Sequence, residues 1–371
     1  MEPLLGKTLT ELQTVAQQAG LQKFAGKQLA EWLYVRRAAS FDEMTNISRK
    51  GREALAAQYT VGRHAPVAEA VSADGTKKYL FRVGEQYVES VYIPDEDRAT
   101  LCVSTQAGCK MGCRFCMTGT LGFHGHLPAA EILNQILFFG DLTNIVYMGE
   151  GEPMDNIEQV LRSLDVMTAD WGCAWSPRRI TVSSVGHPNL KRFLDESDCH
   201  VAISLHNPFA VDRADIMPAE RMYSVSKVVA LLKQYDWTHQ RRVSFEYICW
   251  HGQNDTVRHA NELLRLLRGL PCRINLIRFH AAPEGDKQPT CSLPTADKQP
   301  MPSAPDGNNK QMPFAPAADK QPAPFPPSDE KQMEWLRDYL SAKGITTTIR
   351  RSRGEDILAA CGMLVNALQK D

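Results

Sequence analysis

From residue 100 onward, short runs rich in β-branched residues alternate with amphipathic stretches, and this alternation restricts the fold more than any other feature of the chain. It predicts strands at Leu101–Gln106, Asn144–Gly149, Arg179–Ser184, Val201–His206, Val243–Ile248 and Arg273–His280. Helices are expected at 128–140, 156–169, 224–236 and 255–268, with a weaker one at 187–197. Neighbouring parallel strands need a crossover long enough to hold a helix, so this order implies an α/β core of parallel strands covered by helices. Six such units favour a partial or complete (β/α)6 barrel over a flat sheet, although the pattern alone fits both. A last helix at 329–343, with Ser328 as N-cap and Gly344 as stop, leads to a closing strand at Ile345–Arg351.

The flanking regions read differently. Residues 1–62 form a small helical accessory domain, in which Thr8 and Glu11 have the spacing of a capping box and Gly20 ends the first helix. Residues 63–99 contain a hairpin, Tyr79–Val83 and Gln86–Pro94 around Gly84-Glu85, leading into the core at 100–371. Within that core, 281–328 holds 12 of the 22 prolines and repeats Asp-Lys-Gln-Pro three times, the composition of a linker-like insert that cannot build a core. The chain has no apolar run of membrane-spanning length and no signal-like start, so it reads as a soluble, cytoplasmic protein and a monomer. Its net charge of −1 means that any polyanion must be met by local basic patches.

Ten cysteines in so long a chain point to metal or redox chemistry rather than disulfide staples. Cys173, Cys199, Cys249, Cys272 and Cys291 have no partner by spacing and read as small buried or incidental thiols. Cys109, Cys113 and Cys116 form a C-x3-C-x-aromatic-C run just after the first barrel strand. Three thiolates on one short loop can hold three irons of a 4Fe–4S cluster and leave the fourth open to a ligand. Structural zinc, with His124 or His126 as fourth ligand, is the competing reading.

That run resembles the radical S-adenosylmethionine superfamily, in which the open iron is chelated by the cofactor's amino and carboxylate groups. Other residues fit at matching places: Gly149-Glu150-Gly151-Glu152-Pro153 after the second strand resembles the superfamily's glycine-rich segment. Ser183 ends the third strand, Ser204-Leu205-His206 the fourth and His280 the sixth. In a parallel barrel, loops at the strand C-termini share one face, so Gly151, Glu152, Ser183, Ser204, Leu205, His206 and His280 are candidate S-adenosylmethionine contacts. Singly, each is equally well a turn residue or a satisfied strand-end polar group.

Longer words narrow the match. Val88-Glu89-Ser90-Val91-Tyr92-Ile93-Pro94, Thr100 to Cys109, and Arg353-Gly354-Glu355-Asp356-Ile357 to Ala360-Cys361-Gly362 closely resemble the RlmN/Cfr family of dual-specificity RNA methyltransferases. The resemblance covers most of the chain and fails across the proline-rich insert. It implies methylation of adenine C2 in 23S rRNA, and in tRNA as well. Cys361 would take a methyl group from one S-adenosylmethionine, and a second, bound at the cluster, would yield the radical that activates that methyl. Glu89 would take the proton from the RNA adduct, and Cys102 would release the product by forming a transient disulfide with Cys361. An electron donor such as flavodoxin or ferredoxin is implied. On their own residues, Cys102 and Cys361 read as buried structural thiols, Cys361 at a helix start, and Glu89 as a solvated hairpin residue.

His280 departs from the family, whose better-known members have asparagine there; imidazole can still bond a ribose or purine edge. Arg178, Arg179, Arg241, Arg242, Arg350, Arg351 and Arg353 flank the strands and could neutralise phosphates, or be ordinary solvated surface. Two other functions stay open: methylation at adenine C8, which would confer resistance to ribosome-directed antibiotics, and a non-catalytic iron–sulfur RNA-binding protein or electron carrier.

Overall fold

The computed structural model describes residues 1–237, 243–280 and 325–364. A two-residue strand β1 (Glu2–Pro3) opens the chain, and helices α1 (Leu9–Gln18), α2 (Ala25–Ala30) and α3 (Arg49–Ala56) follow. The capping box forms: Thr8 N donates to Glu11 Oε2 at 2.7 Å and Thr8 Oγ1 accepts from Glu11 N at 3.4 Å. Strand β2 (Tyr59–Thr60) returns to pair with β1, closing the helical unit.

A meander of β3 (Ala68–Val71), β4 (Lys77–Val83) and β5 (Gln86–Asp95) then runs into β6 (Arg98–Cys102). Strand β6 is shorter than the sequence predicts. After Val103 the chain leaves the sheet, because Ser104 N donates to the Gln135 side chain and Thr105 N to Glu150 O. Gln106–Gly108 becomes a separate strand, β7, which crosses the cluster-type loop and helix α4 (Met117–Thr120) to pair with β8 (Phe123–His126).

Six further units complete the core. These are α5 (Ala129–Leu137), β9 (Asn144–Tyr147), α6 (Ile157–Thr168), β10 (Ile180–Ser184), α7 (Leu190–Glu196), β11 (His200–Ser204), α8 (Ala210–Ile216), α9 (Val225–Gln234), β12 (Val243–Cys249), α10 (Val257–Leu267), β13 (Cys272–Arg278), α11 (Glu330–Ala342) and β14 (Thr346–Ile349). Their six strands join β3–β6 in one ten-stranded sheet, ordered β14-β13-β12-β11-β10-β9-β6-β5-β4-β3, parallel from β14 through β9 to β6 and antiparallel from β6 to β3. Both edges stay unpaired with each other, so the barrel is partial.

Strand alternation explains the curl. Outward residues such as Ile145, Val182, Ile203, Phe245 and Leu276 pack with Leu133, Val160, Phe193, Val228, Leu263 and Leu336 from the covering helices. Many inward residues are polar: Thr100, Asn144, Thr181, Ser204, Glu246 and Asn275 line one cavity of about 1090 Å³, with Val146, Ile248 and Ile277 among them. A closed barrel fills that space with bulky side chains. Here it is a channel.

Two expectations at the end of the chain are revised. Asp329, not Ser328, caps α11 and accepts from Gln332 N at 2.8 Å; Ser328 is buried, its hydroxyl donating to Asp255 at 2.7 Å. The proline-rich stretch is also shorter than 281–328 as a structureless insert, since Phe325 packs on Trp250 and Phe279 and Pro326 O accepts from His251 N. Its repeats, Cys291, Arg241 and Arg242 lie outside the described residues. Cys199, Cys249 and Cys272 are buried, as small core thiols. Among the described residues, no helix is long and apolar enough to cross a membrane.

Candidate active site

The cysteine loop follows β7 and is shaped by its own backbone. Cys109 N donates to Gly122 O at 2.8 Å, and Cys116 N to Cys113 O at 3.1 Å. Cys109, Cys113 and Cys116 all line the channel at the C-terminal end of the strands. Burial pushes all three thiols up, Cys109 to about 12, and neighbouring thiols push Cys113 up further. Thiols crowded this way shed their protons when metal binds, which couples loading to proton release. The histidines that a zinc site would need are turned elsewhere: His124 Nε2 faces Leu121 O at 3.0 Å and His126 Nδ1 faces the Gln106 amide at 3.1 Å. Among the described residues, no three Cys, His, Asp or Glu side chains lie close enough to share one ion. Three thiols on one wall of a roomy cavity fit a cluster that takes one thiolate per iron.

The glycine-rich segment after β9 is held to the same loop. Gly151 has φ +93°, and a Cβ there would meet the Gln106 side chain at 2.5 Å, so only glycine permits this approach. Glu152 accepts from Val185 N at 2.9 Å and from Met154 N at 3.0 Å. Burial outweighs those bonds and pushes its carboxyl up to about 7. Ser183 and Ser204 line the channel too. His206 has φ 54° and its Nδ1 accepts from Ile248 N at 3.1 Å, which leaves Nε2 as the N–H donor. Burial, then the Arg213 guanidinium, brings that imidazole down to about 3 and keeps it neutral. Arg213 is fully buried, bonds Leu205 O, Val185 O and Ser204 O, and pairs with Glu220, tying these strand ends together.

Three sequence candidates sit differently from expectation. Leu205 is fully buried in the core and its backbone N–H and C=O are taken by Glu246 and Arg213, so its side chain offers the channel nothing. His280 lines the channel, yet Nε2 faces Ser352 Oγ at 2.7 Å and Nδ1 faces Glu355 at 3.2 Å. Both ring nitrogens thus tie the end of β13 to the C-terminal loop. Glu89 is not a solvated hairpin residue. It is buried with Lys78, whose Nζ lies 2.9 Å from its Oε1. It points to the strand face of Val91 and Ile93, which line the channel.

Cys102 and Cys361 meet at this channel although they lie at opposite ends of the core. Cys102 packs against Ile357 and Ala359, opposite Val91 in the β5–β6 register. Burial, then the neighbouring Cys361, pushes Cys102 up to about 12, while Cys361 itself is exposed and lies near Arg350. Cys361 lies in a turn rather than at a helix start, between Ala360 and Gly362, and residues after 364 are outside the described residues. Its loop is clasped by the turn before β4. Asp356 accepts from Ser72 Oγ at 2.5 Å and Ala73 N at 3.0 Å, and Asp74 accepts from Gly354 N at 3.0 Å. Beyond Cys361, Gly362 O accepts from Met117 N at 2.7 Å and Leu364 O from Thr118 Oγ1 at 3.0 Å. Lys78, Asp74 and Arg213 have no signal in the sequence beyond residue type; only the pairing of strands places them.

Comparison with known proteins agrees with this geometry. Residues 3–61 match the ribosomal RNA large subunit methyltransferase N-terminal domain, and residues 103–267 match the radical SAM superfamily. The chain is 52% identical over 374 residues to "Probable dual-specificity RNA methyltransferase RlmN" of Bacteroides fragilis, covering 100% of this chain and 98% of the relative. It is 36% identical over 374 residues to the dual-specificity RNA methyltransferase RlmN of Rhodopseudomonas palustris, covering 94% and 84%. A crystal structure of a radical SAM methyltransferase from Sphaerobacter thermophilus superimposes with a TM-score of 0.82 at 34% identity, over 99% of this chain and 100% of that one. Full-length identity at this level, with both domain matches in place, shows that the chain belongs to the RlmN family of radical S-adenosylmethionine RNA methyltransferases.

Proposed function

We propose that this chain methylates C2 of an adenine in 23S rRNA, and in tRNA, by passing the methyl group through Cys361. The observation that carries this reading is the meeting of Cys102 and Cys361 in the channel that also holds the three cluster cysteines. An iron–sulfur RNA-binding protein or electron carrier needs no such thiol pair.

Cys109, Cys113 and Cys116 would hold a 4Fe–4S cluster, and Gly151, Glu152, Ser183, Ser204 and His206 would surround S-adenosylmethionine. When bound, the cluster supplies the electron that splits the cofactor into a radical able to take hydrogen. Cys361 takes a methyl group by displacement at the sulfonium carbon and presents it as a thioether. An aromatic C–H carbon is too poor a nucleophile to attack a sulfonium itself, which is the physical reason for the detour. The cofactor-derived radical would take a hydrogen atom from the Cys361 methyl, and the resulting carbon radical would add to adenine C2. The adduct would then give up its odd electron, for which the cluster left oxidised by the cleavage is the acceptor, and its C2 proton to Glu89, fixed by Lys78 beside the channel wall. Cys102 then attacks the Cys361 sulfur. The S–S bond forms as the carbon–sulfur bond breaks, and the departing carbon keeps the electron pair and gains a proton. His280 serves this scheme by holding the Cys361 loop to β13. We further propose a cytoplasmic monomer that draws electrons from a flavodoxin- or ferredoxin-type donor.

The test is anaerobic reconstitution with iron and sulfide, incubation with S-adenosylmethionine, a reductant and a 23S rRNA fragment, and nucleoside mass spectrometry. We expect 2-methyladenosine. Detection of 8-methyladenosine instead would move the protein to the C8 branch. Cys102→Ala is expected to accumulate a covalent protein–RNA species visible on a denaturing gel, and full turnover by that variant would remove the disulfide step.

A further inference from the structure

The channel has two ends, and the cluster and cofactor candidates use one of them. At the other, the strand N-termini present a second polar layer. Register places Thr100 beside Asn144, Thr181 beside His200, and Ser244 beside Arg273. Thr100, Asn144, Thr181 and His200 point inward yet are only half-buried, so this end opens to solvent where a closed barrel would be packed. Three arginines rim it: Arg98 at the start of β6, Arg178 just before β10 and Arg273 in β13. Among the described residues, none of the three has a carboxylate within salt-bridge distance. Asp95, the register partner of Arg98, is taken by Arg353 at 2.9 Å.

Three guanidiniums around one opening, unpaired with any carboxylate among the described residues, in a chain whose net charge is −1, form a local anion site rather than part of a general basic field. Guanidinium matches phosphate by paired hydrogen bonds and keeps its charge at every working pH. Scale fits entry from this end. Cys102 lies two residues beyond Thr100 on β6, a rise of roughly 6.6 Å at about 3.3 Å per residue. That is close to the long dimension of a purine. A base inserted from the arginine end, with its phosphates left at the rim, would bring its far edge to the level of the thiols.

We propose that RNA docks at the strand N-terminal end, its backbone phosphates held by Arg98, Arg178 and Arg273, and that the target base enters from there. S-adenosylmethionine occupies the opposite end, and the two meet at Cys102 and Cys361. The proposal rests on the reading that the chain acts on an RNA adenine, and it adds the phosphate site and the direction of approach. Extruded bases are read in pockets while the flanking backbone is held outside, which is the arrangement this channel offers.

The experiment measures binding of an RNA hairpin with the target adenine in its loop to the reconstituted protein, by fluorescence anisotropy across a salt series. Arg98→Ala, Arg178→Ala and Arg273→Ala are compared singly and together, with Lys110→Ala/Arg114→Ala testing the cluster end. Each single change should weaken binding several-fold. The triple change should weaken it about 100-fold and flatten the salt slope by about 0.7 per lost phosphate contact. Lysine at the same three positions should restore most of the affinity. S-adenosylmethionine binding, followed by equilibrium dialysis, should be unchanged, because the cofactor candidates lie at the other end. Wild-type affinity and salt slope in the triple variant, or loss of binding in the cluster-end variant alone, would overturn the assignment. Failure of the wild-type protein to bind any RNA would sink the RNA reading itself, and this proposal with it.

Discussion

Two loops carry the candidate cysteines, and they are built in opposite ways. The Cys109–Cys116 loop is local: its thiols lie within eight residues, and backbone bonds from its own neighbours, such as Cys109 N to Gly122 O, shape it. The Cys361 loop is assembled from distant parts. Ser72 and Asp74 hold it on one side, Met117 and Thr118 on the other, and its partner thiol comes from β6. A ligand set for a cluster must converge whatever the enzyme is doing, so a compact self-supporting loop suits it. In the scheme proposed for Cys361, a thiol that first carries a methyl group and then meets Cys102 has to change partners. Anchors at both ends, with Gly354 at φ +63° and Gly362 at φ +81° flanking it, suit that task.

Three changes would break or sharpen this contrast. The largest effect is expected from Cys113→Ala. Iron content after anaerobic reconstitution should fall severely and methylation should disappear, while hydrogen exchange of 352–364 stays as in the wild type measured without iron. Retention of a full cluster by that variant would mean that the loop is not the ligand set. Next comes Asp356→Ala, which removes two hydrogen bonds to a carboxylate, together worth at least about 1.5 kcal/mol. Hydrogen exchange across 357–364 should then rise roughly tenfold, and iron content should be unchanged. Loss of iron in parallel would show that the two loops are one structural unit.

The smallest effect is the pH response of the clasp. Partial burial of Asp74 opposes ionisation, but bonds from Thr76 and Gly354 outweigh it and bring the carboxyl down to about 2. A depressed carboxyl stabilises fully above its unfolded value of about 3.9 and loses that contribution as pH falls through the folded value. Asp356 is also lowered, chiefly by the Ser72 hydroxyl. Exchange protection of 357–364, corrected for intrinsic rates, should therefore be flat from pH 8 to 5 and weaken only near pH 2 to 4. A midpoint near pH 6 would point instead to a titrating histidine such as His280.

Legibility in the sequence followed the same division. Strand–helix alternation located the parallel units, and three-cysteine spacing located the loop that enters the channel, because both signals are periodic or contiguous. Where β6 ends was not legible, since the departure at Ser104 depends on Gln135 and Glu150, far along the chain. Ser328 is a good N-cap by type, but Asp255 captures its hydroxyl and Asp329 takes the cap. Glu89 passed for a surface residue until β4 brought Lys78 beside it.

By itself the sequence determined the alternation, the three-cysteine loop and, through its long motif words, the family. Those are properties of residues close together along the chain, and short-range order is written in spacing. Only the tertiary structure decided that the inward faces enclose a channel rather than a packed core, that its far end is rimmed by arginines, and that Cys361 is clasped beside Cys102. Each of these depends on residues brought together by strand pairing, and pairing partners leave no mark in local sequence.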